Sequence, residues 1–171
     1  MDRSALMDKS SCERLWEEYA DRLLLYATML VGDTAAAEDV LQGVFMRLLK
    51  QGEDLRPESE QRYLFRAVRN ESLNAVRSRS RASRKSSPLF EREDSDPARA
   101  AEREDFRRRV ESALGGLPMD QREAVALKIW GGLSIPEAAE VSGLTGKTFE
   151  HRYYRGLEEL ERRIGGRDEG A

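Results

Sequence analysis

Throughout this chain apolar residues recur three and four positions apart, and no segment alternates with period two over any useful length. A helix returns the same face every 3.6 residues or so and a half-buried strand every two, so the spacing restricts the chain to an all-α fold. Leu15, Trp16, Tyr19, Leu23, Tyr26, Ala27 and Leu30 mark a first helix, stopped by Gly32. Asp33 or Thr34 can cap a second, whose Val40, Leu41, Val44, Phe45 and Leu48 form one stripe ending near Gly52. A third begins just after Pro57 and runs to about Arg77, with Tyr63, Leu64, Ala67, Val68 and Ala75 on its apolar side.

The pattern then breaks. SRSRASRKSSPLFEREDSDPARA, residues 78–100, offers almost nothing to bury, which predicts a flexible linker over 79–104 between domains at 12–78 and 105–164. Phe106, Val110, Ala113 and Leu114 restart a helix that Gly115 and Gly116 close. Pro118 and Asp120 open another, Gln121 to Trp130, expected to pack through Val125 and Ile129 and to end at Gly131 and Gly132. Ser134 and Glu137 have capping-box spacing with Pro136 in the tolerated first turn, predicting a short helix from Ile135 to Val141. Gly143 makes a turn, and Thr145 can cap a final helix to about Arg163.

Two short helices joined by a glycine-containing turn are the helix-turn-helix arrangement, whose second helix enters the DNA major groove. Ala139 allows close approach, and Leu144 and Phe149 fill the space between. On the second helix Lys147, Thr148, Glu150, His151, Arg152 and Arg155 point outward, cations toward phosphates and polar groups toward base edges. A carboxylate can accept from a cytosine amino group, so Glu150 can discriminate as well as repel.

Net charge is only −3, but its distribution is uneven. Residues 1–55 carry 6 basic and 11 acidic side chains, 56–85 carry 9 and 3, 86–105 carry 3 and 7, and 106–171 carry 11 of each. The basic block is the third helix, where Arg62, Arg66, Arg69 and Arg77 fall within roughly 80° of arc beside Asn70, opposite the apolar side. The helix is therefore expected to present a basic outer face.

Catalysis and cofactor binding find no support. Cys12 is the only cysteine and His151 the only histidine, so neither a disulfide nor a four-ligand zinc site can form within one chain. No nucleophile sits with a base, no glycine-rich phosphate loop follows a strand, and Asp94 with Asp96 makes a poor metal site. The most apolar run, Leu23 to Val31, is interrupted by Thr28 and falls well short of the roughly 20 residues that span a bilayer. The first residues lack the apolar core of a secretion signal, and a cytoplasmic location is expected.

AAAEDVLQGVFMRLLK and YLFRAVRNESLNAVRSRSR, followed after the linker by GLPMDQREAVALKIWGGLSIPEAAEVSGLTGKTFEHRYYRGLEEL, resemble an extracytoplasmic-function (ECF) sigma factor over about residues 12–164. That family gives bacterial RNA polymerase its promoter specificity. The resemblance implies that Asp39, Gln42, Phe45, Arg47 and Leu48 dock on the clamp helices of the largest polymerase subunit, with Gly43 replacing the family's usual glutamate. It implies that Arg62, Tyr63, Arg66, Arg69, Asn70, Asn74 and Arg77 serve the minus-ten element, Tyr63 standing where tryptophan is usual. Lys147, Thr148, Glu150, His151, Arg152 and Arg155 would read the minus-thirty-five element, with Glu150 and His151 replacing lysine and serine. The linker would thread the polymerase, and an anti-sigma protein is an expected partner beside core polymerase and promoter DNA.

Two other classes stay open at this point. A stand-alone dimeric helix-turn-helix regulator would bind operators without polymerase, a reading the acidic first module disfavours. A degenerate sigma-like interaction protein would keep a partner surface and lose promoter reading, as Gly43, Glu150 and Gly156 suggest.

Overall fold

The computed structural model describes residues 9–51, 55–79 and 108–165, and every regular element among them is an α-helix. In chain order these are α1 (Lys9–Val31), α2 (Thr34–Gln51) and α3 (Pro57–Arg79), then α4 over 108–115, α5 (Met119–Ile129), α6 (Ile135–Ser142) and α7 (Gly146–Gly165). The expected linker at 79–104 lies outside the described residues except for Arg79, as does Phe106. Among the described residues no helix is long and apolar enough to cross a membrane.

The first three helices form from the stripes their sequences carry. Leu15, Tyr19, Leu23, Tyr26 and Leu30 of α1 are buried against Val40, Leu41, Val44, Phe45 and Leu48 of α2 and against Leu64, Phe65 and Val68 of α3. Gly32 adopts φ +74° and sends its N–H to the Thr28 carbonyl, ending α1 in the left-handed turn that glycine enters without a Cβ penalty. Asp33 then starts α2: its carboxylate accepts from the Ala36 N–H at 3.2 Å and pairs with Arg79 at 2.6 Å. The Arg79 hydrogen bond holds the Asp33 carboxyl below its usual range. Trp16 does not join the core; it is 42% exposed and stands edge-on to Phe45 at 4.9 Å.

The second set of helices follows its turn signals closely. Ser134 accepts from the Glu137 N–H while the Glu137 carboxylate accepts from the Ser134 N–H at 2.9 Å, completing the capping box. Gly143 at φ +68° ends α6, and the Leu144 N–H bonds back to the Ala139 carbonyl at 2.9 Å. Thr145 caps α7 by accepting from the Thr148 N–H at 3.3 Å. α5 differs from expectation: Ile129 is 50% exposed, and the buried run is Glu123, Ala124, Val125, Ala126 and Leu127. α5 packs on α1, α6 and α7, so it is covered on several sides and has no single apolar stripe for periodicity to reveal.

Gly156 lets α7 cross α5 closely. A Cβ there would lie 2.7 Å from Val125 Cγ2 and 3.1 Å from the Gln121 carbonyl oxygen, so the glycine is a packing requirement rather than a sign of decay.

The two sets of helices share one continuous core. α1 packs on α5, and α3 packs on α6. Arg122 of α5 reaches across to the Met29 carbonyl at 3.2 Å, and Gln61 of α3 donates to the Gly131 carbonyl at 2.5 Å. Arg22 of α1 donates to the carbonyls of Trp130 at 3.1 Å and of Gly131, adding side-chain donors just past the C-terminal end of α5.

Candidate nucleic-acid interface

α3 carries the basic stripe that its sequence spells out, but the arginines in the first half of that stripe are already paired with acids. Arg62 pairs with Glu137 at 3.4 Å and Glu140 at 3.3 Å. Arg66 pairs with Glu140 at 2.9 Å and also donates to the Glu140 main-chain carbonyl at 3.2 Å. Arg69 grips Glu123 with two bonds, at 2.5 and 3.2 Å. The expected outer face is thus an interface, because acids on α5 and α6 meet the arginines.

Glu123 is the centre of that interface. Its side chain is 7% exposed, and it accepts from the fully buried Tyr26 hydroxyl at 2.9 Å as well as from Arg69. Burial first, and the Glu123 carboxylate second, push the Tyr26 hydroxyl well above its usual pKa, so it stays a neutral donor. Burial opposes the Arg69 charge, and the hydrogen bond and charge of Glu123 more than reverse this, leaving the guanidinium a firmer cation than usual. An acid inside the apolar run EAVAL was the available signal for this role, since a buried carboxylate needs a cationic or hydroxyl partner. The hydrogen bonds from Ser134 chiefly, with Arg62 helping, hold the Glu137 carboxyl below its usual range.

The remaining α3 residues sit differently. Asn70, Asn74 and Arg77 are exposed, and Tyr63 is half-buried. On α7, Lys147, Thr148, Glu150, His151 and Arg155 are exposed together along the outer side, and Phe149 is fully buried beneath them. Arg152 is partly drawn aside by Asp120 at 3.4 Å. α7 therefore offers an open reading face with cations beside one carboxylate and one imidazole, a set able to contact both phosphates and base edges.

On α2, Asp39, Gln42 and Arg47 are exposed, and Arg47 pairs with Glu71 of α3 at 2.8 Å. Phe45 and Leu48, counted above among docking residues, are 4% and 1% exposed; they are core and give a partner no surface. Met46, absent from the expected set, is 52% exposed beside them. Gly43 lies in open space, with nothing within 4 Å of a Cβ built there. Gly43→Ala is accordingly expected to stabilise the protein by about 1 kcal/mol, from helix propensity alone, in urea unfolding followed by circular dichroism.

The region 2 model of the sigma-70 family matches residues 15–82, and the region 4 model matches 107–160. The ECF RNA polymerase sigma factor EcfG of Rhodopseudomonas palustris is 31% identical over 142 residues, which is 81% of this chain and 76% of EcfG. The chain belongs to the ECF sigma factors. The ECF sigma factor SigE of Mycolicibacterium smegmatis is 30% identical over 154 residues, and there the match spans 88% of this chain but 60% of SigE. The fold is shared with CnrH, solved in complex with the cytosolic domain of CnrY: TM-score 0.70, 26% identity, 96% of this chain and 94% of that one. In sigma-factor terms, α1 to α3 are region 2 and α4 to α7 are region 4.

Proposed function

We infer that this sigma factor works as the promoter-specificity subunit of bacterial RNA polymerase, docking through α2 and reading DNA with α3 and α7. The observation that carries this reading is the pairing, in one chain, of a region 2 match with a region 4 match whose helix-turn-helix leaves its outer side open. Asp39, Gln42 and Arg47 form the docking face for core polymerase. Arg62, Arg66 and Arg69, with Tyr63, Asn70, Asn74 and Arg77, hold the separated minus-ten strand, a basic helix tracking phosphates while an unstacked base is captured alongside. Lys147, Thr148, Glu150, His151, Arg152 and Arg155 read the minus-thirty-five element.

The chain contributes recognition, and the polymerase contributes the bond-forming chemistry. As a polymerase subunit it acts in the cytoplasm. CnrH is held by part of another protein, and an anti-sigma protein bound in the same manner is the partner proposed here. The deciding experiment is transcription in vitro with purified core polymerase and a promoter library. The sigma reading requires promoter-dependent transcripts that vanish when the chain is left out; with none on any template, it is wrong.

The degenerate-interaction reading loses one of its three supports, because Gly156 is explained by the crossing of α5 and α7. Glu150 and His151 remain on the open face, where they alter which sequence is read.

A further inference from the structure

Minus-ten and minus-thirty-five elements are separated, as their names say, by about 25 base pairs, which at roughly 3.4 Å per pair is on the order of 85 Å of duplex. In this structure the helices assigned to those two elements touch: Arg62 and Arg66 of α3 pair with Glu137 and Glu140 on α6, the first helix of the helix-turn-helix. The conformation seen here cannot span both elements. It is a closed state, and promoter binding requires region 4 to leave region 2.

What holds it closed is not only apolar contact. The carboxylates of Glu123, Glu137 and Glu140 occupy the guanidinium donors of Arg69, Arg62 and Arg66, the groups that would otherwise bind phosphate oxygens. Glu137 and Glu140 are three apart on α6, and Arg62 and Arg66 are four apart on α3, so each pair projects from one helical face and the two meet as a ladder. Carboxylate and phosphate present similar oxygen pairs to the arginine fork. The reading face of α7 stays exposed at the same time. The masking is therefore one-sided.

We propose that Glu123, Glu137 and Glu140 form an intramolecular phosphate mimic that occupies the minus-ten arginines of the free sigma factor, so that region 4 competes with the promoter strand until the two regions separate. The proposal rests on the reading that these arginines bind DNA. Apparent affinity for the strand is then the affinity of the open form reduced by the fraction of molecules that are open. Docking of region 2 on polymerase and of α7 on duplex 85 Å or so away would supply the difference that favours opening.

The test uses the full-length chain with the double variant Glu123→Gln/Glu140→Gln, and with Glu140→Gln alone, whose half-exposed side chain can be changed without touching the core. Small-angle X-ray scattering reports the overall dimensions. Anisotropy of a fluorescein-labelled 20-nucleotide oligothymidylate at fixed salt reports strand binding. The double variant should expand and bind at least about fivefold more tightly, with the single variant in between. Glu17→Gln/Glu161→Gln makes the same change in net charge at exposed positions away from the ladder and should shift binding by less than about twofold. The gain should disappear when Arg62→Ala and Arg66→Ala are added.

A wild-type chain already as extended as the double variant would overturn the proposal, and so would expansion without tighter binding, or a gain matched by the control. Holoenzyme transcription separates this from the reading beneath it. If Arg62→Ala/Arg66→Ala transcribes normally, the arginines do not read the promoter; if it fails while the double variant stays compact, only the mimic is wrong.

Discussion

Replacing Arg66 and Arg69 together by alanine is expected to cut promoter-dependent transcription by the holoenzyme on the order of 100-fold. A hydrogen bond to a charged group contributes about 1.5 to 3 kcal/mol, and two such contacts at the lower figure sum to about the 2.8 kcal/mol that a 100-fold change needs. The phosphate origin of the effect has its own signature: the slope of log affinity against log salt should become shallower by nearly two for duplex or somewhat less for a single strand. Lysine at both positions should recover part of the activity, since it keeps the charge and loses the two-pronged geometry. Run-off transcription at two salt concentrations measures all of this. Full activity of the alanine variant would remove α3 from promoter recognition. Because Arg69 also satisfies buried Glu123, the variant's helicity and unfolding midpoint have to be checked alongside.

Phe149→Ala is expected to destabilise region 4 by about 3 to 5 kcal/mol, the range for emptying a fully buried aromatic site. Phe149 is 0% exposed at the first turn of α7, where that helix packs on α5 and α6. For a chain of this length the thermal midpoint should fall by on the order of 10 °C. Minus-thirty-five binding should be lost with it, although Phe149 is buried on the other side of the helix from the proposed reading face, because Lys147, Glu150 and His151 project from the same turns that Phe149 anchors. Calorimetry and a duplex-binding assay check the two effects; a midpoint within 2 °C or so of wild type would show that α7 is held by something else.

The turns were legible because their information is local. Gly32 and Gly143, the Ser134–Glu137 box and the Thr145 cap each act over three or four residues, and every one is made as the spacing implies. One-sided helices were legible for the same reason. α5 was not, because a helix covered on several sides shows no stripe, and Ile129, expected to pack inward, is half-exposed. Phe45 and Leu48 show the reverse difficulty: a family's docking helix has a buried side as well as an exposed one, and resemblance alone does not divide them.

The amino-acid sequence by itself determined an all-α chain with a helix-turn-helix, a basic stripe on α3, and the glycines and caps at the ends of α1, α2, α6 and α7. Periodicity and capping depend on neighbours within a turn, so they can be read from the string. Only the tertiary structure decided where that stripe points. Arg69 and Glu123 are 54 residues apart, and Arg62 and Glu137 are 75 apart. Charge balance along the chain cannot say which acid an arginine meets. That choice follows from how α1 and α3 pack against α5 and α6, and it turns a face expected to lie open to DNA into one already occupied by carboxylates.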